Sequence, residues 1–167
     1  FVVTRDSLMW HFGGGYDLTP TYGFVDDCEF WHQAAREATG VEKYEVMKKN
    51  CDDYFFLPHR NEHRGIGGLF FDDLSSDDFN LTFSEIRKIG ESFLPTFSAI
   101  FDKRASTVFS AKNREFQLFR RGRYVEFNLL FDRGTRYGLQ SGRRVDSVLS
   151  SMPPLASWVY IHEIERN

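Results

Sequence analysis

Two rhythms of apolar and polar positions run along the chain, one with a period of two residues and one returning every three or four, and together they predict its elements. Phe1 to Phe12 reads as an extended segment ending at Gly13, Gly14 and Gly15, because glycine tolerates backbone angles that other residues avoid. A turn through Thr19, Pro20 and Thr21 follows. Asp26 or Asp27 then caps a helix from Cys28 to about Thr39, with Phe30 or Trp31, Ala34, Ala35 and Ala38 on one face and Gly40 at the end. Tyr44, Met47, Cys51 and Tyr54 recur at helical spacing and predict a second helix from Val41 to Phe55, ended by Pro58. The apolar run from Ile66 to Phe71, bounded by glycine and aspartate, predicts a buried strand. Thr82 and Glu85 form a capping-box pattern ahead of Ile86, Ile89, Phe93, Phe97 and Ile100, a long amphipathic helix expected to bend near Pro95.

In the last third, Ser110 is expected to cap a helix through Phe119. "RYVEFNLLFDRG" alternates, with Val125, Phe127, Leu129 and Phe131 on one face, and predicts a strand. "RYGLQ" is its expected hairpin partner after a turn from Asp132 to Thr135, a short helix covers Val145 to Ser151, and "LASWVYIH" closes the chain as a final strand. The fold class this implies is α+β: a large, mostly antiparallel β-sheet flanked by α-helices on both faces. No repeat or linker interrupts it, so residues 1–167 read as a single domain.

Composition narrows the partners. A chain of 167 residues with 41% hydrophobic content is long enough for one core, and 17% aromatic residues make that core ring-rich. A formal net charge of −3 gives no global basic field, so nucleic acid is not an expected partner. Cys28 and Cys51 lie far apart without CxxC or Cys/His spacing, and none of the five histidines stands in an HExxH-like pattern, so no metal site is expected. No apolar run approaches the roughly 18 residues that a membrane span needs. The sequence opens on Phe1 in a strand pattern without an initiator methionine and reads as part of a longer domain whose upstream portion is missing.

Three stretches could carry chemistry. From Arg120 to Arg144 the basic residues are all arginine: Arg120, Arg121, Arg123, Arg133, Arg136, Arg143 and Arg144. Guanidinium stays charged and grips carboxylate or phosphate with two parallel hydrogen bonds, so an acidic ligand is implied, most of all at Arg143 and Arg144 beside Gly142; pairing with local acids is the plainer alternative. "FFDDLSSDD" supplies Asp72, Asp73, Asp77 and Asp78, which resemble a magnesium motif for diphosphates but read better as turn and helix-cap residues. In "FGGGYDLTPTY" a carboxylate, Asp17, follows glycines that let a ligand approach the backbone. The same pattern also suits a tight turn with an Asx cap.

Taken together, "FGGGYDLTPTY", "CDDYFFLPHRNEHRGIGGLFFDDL", "RRGRYVEFNLLFDRGTRYGL" and "SMPPLASWVY" resemble the oxygen-dependent coproporphyrinogen III oxidases, in order and over essentially the whole chain. The resemblance implies conversion of two propionates of coproporphyrinogen III to vinyl groups, giving protoporphyrinogen IX, with O2 as oxidant, carbon dioxide and hydrogen peroxide as products, and no metal or organic cofactor. It also implies a large antiparallel sheet flanked by helices and a homodimer whose interface falls within Tyr124 to Val159. Asp17 matches the acid that meets the pyrrole N–H groups at the centre of the macrocycle, and Gly142, Arg143 and Arg144 match a substrate-contacting Gly-x-Arg loop. Here Arg143 stands where relatives often carry a small residue, and His11 and Tyr16 where they often carry Trp and Cys. The family's proton-donor histidine, with further substrate contacts, would lie upstream of Phe1. Relatives occur in the cytosol and in the mitochondrial intermembrane space, and a cytoplasmic location is the expectation. A non-catalytic tetrapyrrole carrier that keeps the pocket without the chemistry is the alternative, against which the complete motif around Asp17 counts.

Overall fold

A computed structural model describes the strand backbone of Val2 and Val3 and all of residues 9–159. Its elements in order are β1 (Val2–Val3), β2 (Trp10–Leu18), α1 (Val25–Thr39), α2 (Val41–Tyr54), β3 (Phe56–Leu57), β4 (Glu62–His63), β5 (Gly67–Leu74), α3 (Phe79–Arg104), α4 (Ala111–Leu130), α5 (Arg133–Gln140) and α6 (Val145–Val148). The chain divides into two compact units, one of residues 1–18, 23–56 and 66–107, the other of residues 19–22, 57–65 and 108–167.

The first unit holds a small antiparallel sheet in the order β1-β2-β5. Phe12 and Tyr16 of β2 and Leu69 and Phe71 of β5, at alternate positions, join Trp31, Ala35, Tyr44, Met47 and Ile89 in one buried cluster. Tyr16 stacks on Trp31 with centroids 4.3 Å apart, and the Trp31 indole N–H donates to the Gly67 carbonyl at 3.1 Å. Asp26 and Asp27 sit in the first turn of α1 rather than capping it, and meet Lys103 and Arg104 at the end of α3, where Arg104 Nε donates to Asp27 Oδ2 at 2.7 Å. The cap of α3 is Asp78, whose carboxylate accepts from the Leu81 N–H at 3.0 Å, one turn ahead of the expected Thr82 and Glu85 box. The helix continues through Pro95.

The second unit is built on α4, which Ser110 and Asn113 start with a reciprocal capping box. Its buried positions Phe119, Gly122, Arg123 and Phe127 follow helical spacing. Arg60 grips Glu126 (Nε to Oε2, 3.0 Å), the Trp158 indole donates to the same carboxylate at 3.0 Å, and Arg123 donates to Glu62.

The large sheet is therefore a misreading. "RYVEFNLL" does alternate, but its Arg123 and Phe127 continue from Phe119 at four-residue steps, and the helix begun at Ser110 runs on to Leu130. "RYGLQ" is helical in α5, because the Asp132 carboxylate that was expected to shape a hairpin turn accepts from the Thr135 N–H and caps a helix instead. Leu155 to Val159 of the expected final strand have no regular structure and lie along α4, where the Ser157 N–H donates to the Leu118 carbonyl at 3.0 Å; Tyr160, Ile161 and His162 fall outside the described residues. Among the described residues helices dominate, and the sheets are one of three strands and one hairpin of two-residue strands.

Candidate functional site

The three glycines do not end a strand; they are the middle of β2. Phe12 pairs with Leu74, Gly14 with Phe71, Gly15 with Phe70, Tyr16 with Leu69 and Asp17 with Gly68. One residue, Gly13, separates Phe12 from Gly14 while two, Asp72 and Asp73, separate Phe71 from Leu74, so the bulge lies on β5 at Asp72 and Asp73. Asp73 accordingly takes a left-handed φ of 52°, which aspartate tolerates better than most residues.

Alternation puts Phe12, Gly14 and Tyr16 on the core face and His11, Gly13, Gly15 and Asp17 on the other. The glycines on the two faces answer to different constraints. A Cβ on Gly14 would stand 2.9 Å from Cζ of Phe71, so the core requires that gap. A Cβ on Gly68, opposite Asp17, would stand 2.0 Å from the Tyr16 carbonyl oxygen, where the φ of 153° already favours glycine. At Gly13 and Gly15 the nearest atoms would be 3.4 Å (Asp72 Oδ1) and 3.5 Å (Phe70 Cδ2) away, which is ordinary contact, and neither has a positive φ. Neither packing nor backbone asks for glycine at 13 and 15, although glycine weakens a strand. What both positions do is leave the outer face of β2 bare up to Asp17, a half-buried carboxylate.

Opposite this strip, Phe70 leaves the core to Leu69 and Phe71 and stands half-buried on the same face as Gly15. Its ring stacks on Tyr54 with centroids 4.5 Å apart and planes 8° from parallel, and Phe55 meets its edge at 6.2 Å. Composition flagged no single ring as part of a site; the alternation of "GLFFD", which throws Phe70 opposite to its neighbours, is the signal that could have found it.

In the second unit, Gly142 turns the chain between α5 and α6 with a φ of 68°. Arg143, whose N–H donates to the Gly138 carbonyl, lies over the Tyr137 ring at 5.7 Å. Arg144 precedes α6, with its guanidinium 3.9 Å from the Asp146 carboxylate and both side chains exposed. Gly142, Arg143 and Arg144 thus form one exposed loop, while Asp17 belongs to the first unit. Other arginines of the basic stretch are structural: Arg120 binds Glu62 and the His63 and Arg64 carbonyls, Arg123 is fully buried over Phe119, and Arg136 binds the Leu130 carbonyl. Contacts within the fold, to Glu62 some sixty positions away for Arg120 and Arg123 and to a nearby carbonyl for Arg136, engage all three.

Asp72 and Asp73 are exposed at the bulge, and Asp78 is spent on its helix cap. Among the described residues no three His, Cys, Asp or Glu side chains gather in an arrangement that could hold a metal ion, and no helix is long and apolar enough to cross a membrane.

The model of one protein family, coproporphyrinogen III oxidase, matches residues 1–167. The chain belongs to that family. Membership places it in heme biosynthesis, and coproporphyrinogen III is the substrate that fits it. For a coproporphyrinogen III oxidase, the bare strip beside Asp17 is chemically apt. A reduced tetrapyrrole has N–H donors at its centre, apolar rings around them and carboxylates at its rim, and a strand without side chains lets such a broad ligand lie close to the backbone. Tyr16 points into the core against Trp31 and stays off this face.

Proposed function

We propose that the chain carries the ring-contacting part of an oxygen-dependent coproporphyrinogen III oxidase, in which each of two propionates reacts with one O2 to give a vinyl group, CO2 and H2O2. The observation that carries this reading is the pair Gly13 and Gly15, which the fold does not require and which open the face on which Asp17 stands. In this reading Asp17 accepts the central pyrrole N–H and takes its proton, raising electron density on the ring so that O2 adds to a pyrrole carbon. The bound peroxide takes a proton from the propionate chain and, with a second proton from solvent, leaves as H2O2; the carboxylate leaves as CO2, the electrons of the broken C–C bond become the vinyl double bond, and protonated Asp17 returns its proton to the pyrrole nitrogen. Oxygen gains the two electrons that the substrate loses, so no metal or organic cofactor has to enter the balance.

Gly142, Arg143 and Arg144 take the rim. Two exposed guanidiniums on a glycine hinge suit flexible propionates, and holding one carboxylate selects which chain reacts. The functional protein is a homodimer in the cytoplasm, with the mitochondrial intermembrane space as the alternative compartment.

The deciding experiment is Asp17→Asn in the full-length protein, assayed aerobically with coproporphyrinogen III for vinyl product and CO2. Loss of the base is expected to lower turnover about 100-fold or more. Turnover within a fewfold of wild type would sink the role given to Asp17.

A further inference from the structure

The open face of β2 and β5 offers a second kind of contact besides the carboxylate. Gly15 pairs with Phe70 and Asp17 with Gly68, successive same-face pairs of one ladder, so the Asp17 and Phe70 side chains are diagonal neighbours about 7 Å apart at their bases. Phe70 stands on a block of rings, with Tyr54 stacked at 4.5 Å and Phe55 at its edge, and Tyr54 and Phe55 themselves meet at 4.8 Å and 86°. That block ends α2 and holds the Phe70 ring in place before any ligand arrives. A wall fixed in advance loses little freedom on binding, and the apolar surface it offers adjoins an acceptor for N–H. Few ligands use both at that spacing; a pyrrole does, with its N–H toward the acid and its carbon face toward the ring.

We infer that Phe70, backed by Tyr54, is the apolar wall on which the pyrrole rings of the substrate rest beside Asp17, and that it sets affinity for the tetrapyrrole while Asp17 sets the rate. This rests on the assignment of the open face to the macrocycle. The two side chains then divide the work: removing the ring weakens binding of substrate and transition state alike, which raises KM and leaves kcat, whereas removing the base lowers kcat.

The test uses the full-length protein, with coproporphyrinogen III for kinetics and coproporphyrin III, the unreactive oxidised macrocycle, as a binding probe followed by fluorescence. Phe70→Leu should raise KM and the coproporphyrin Kd about fivefold to tenfold with kcat within twofold, the scale of one lost aromatic contact. Phe70→Tyr keeps the ring and should restore both constants. Tyr54→Leu removes only the backing and should shift them in the same direction by less. A role confined to holding α2 against β5 would instead lower the melting temperature of Phe70→Leu and leave both constants within twofold of wild type, and that result overturns the inference. Where Phe70→Leu does not fold, unchanged constants in Tyr54→Leu overturn it equally. Asp17→Asn, run in parallel, separates the two assignments: lost turnover with intact coproporphyrin affinity supports the acid and says nothing for or against the wall, which is judged on affinity alone.

Discussion

Gly13, Gly14, Gly15 and Gly68 look alike in sequence and differ in what their neighbours demand. For Gly15→Ala the added methyl meets only ordinary contacts and relieves the entropy a glycine gives up in a strand, so the melting temperature should hold or rise slightly. The same methyl would stand on the face we assign to the macrocycle, and on that assignment the KM for coproporphyrinogen III should rise severalfold. Gly14→Ala should do the reverse, displacing Phe71 in the core at a cost of about 1–3 kcal/mol with little direct effect on the open face. Equal effects of the two substitutions, by thermal melts and steady-state kinetics, would remove the distinction between a core gap and a ligand gap. Asp17 and the two arginines were legible as candidates because carboxylate and guanidinium chemistry is visible in residue type. Phe70 was not, since alternation in "GLFFD" sets it apart from Leu69 and Phe71 but only the pairing with Gly15 puts it on the face of Asp17.

At the scale of elements, the helices α1 and α2 were readable from periodicity, and their join carries a pH response. His32 on α1 accepts at Nδ1 from the Tyr44 hydroxyl at 3.0 Å and donates from Nε2 to the Ile66 carbonyl at 2.9 Å, an arrangement that needs the neutral ring. Burial holds its pKa below the ordinary 6.5. The unfolded chain therefore takes up the proton first, and the stability that neutral His32 contributes is complete above pH 6.5 and lost as the pH falls below it. Thermal melts between pH 7.5 and 5.5 should show a decline that His32→Gln flattens; parallel profiles would exclude His32 as the cause. Asp27 acts over a lower range, since the hydrogen bond from Arg104 pulls its carboxyl below the usual carboxylate value and its contribution persists to neutral pH. The error in α4 was also one of elements. Alternation from Tyr124 to Phe131 satisfied a strand template, while the Ser110 cap and the spacing of Phe119, Arg123 and Phe127 satisfied a helix, and a local window has no means of ranking the two.

At the scale of the whole molecule, many large apolar side chains stay exposed within the described residues, among them Leu129, Leu130, Leu155 and Trp158, all inside the segment Tyr124 to Val159. Large apolar side chains left exposed in such number suit association. Sedimentation of the full-length protein is expected to give twice the chain mass, and Leu129→Lys with Leu130→Lys should shift it toward monomer. An unchanged dimer would place the interface elsewhere. The sequence by itself determined the family, the helices with clean periodicity and caps, the absence of metal-ligand spacing, and the residue types able to meet an anionic tetrapyrrole, because those depend on local order and side-chain chemistry. Only the tertiary structure decided that the glycine run is a strand and not its end, that "RYVEFNLL" is helical, that Arg120 and Arg123 are spent on Glu62, and that Phe70 shares a face with Asp17. Each of these depends on which distant residue arrives opposite, and cross-strand register and ion pairing across some sixty positions are set by packing that no local pattern encodes.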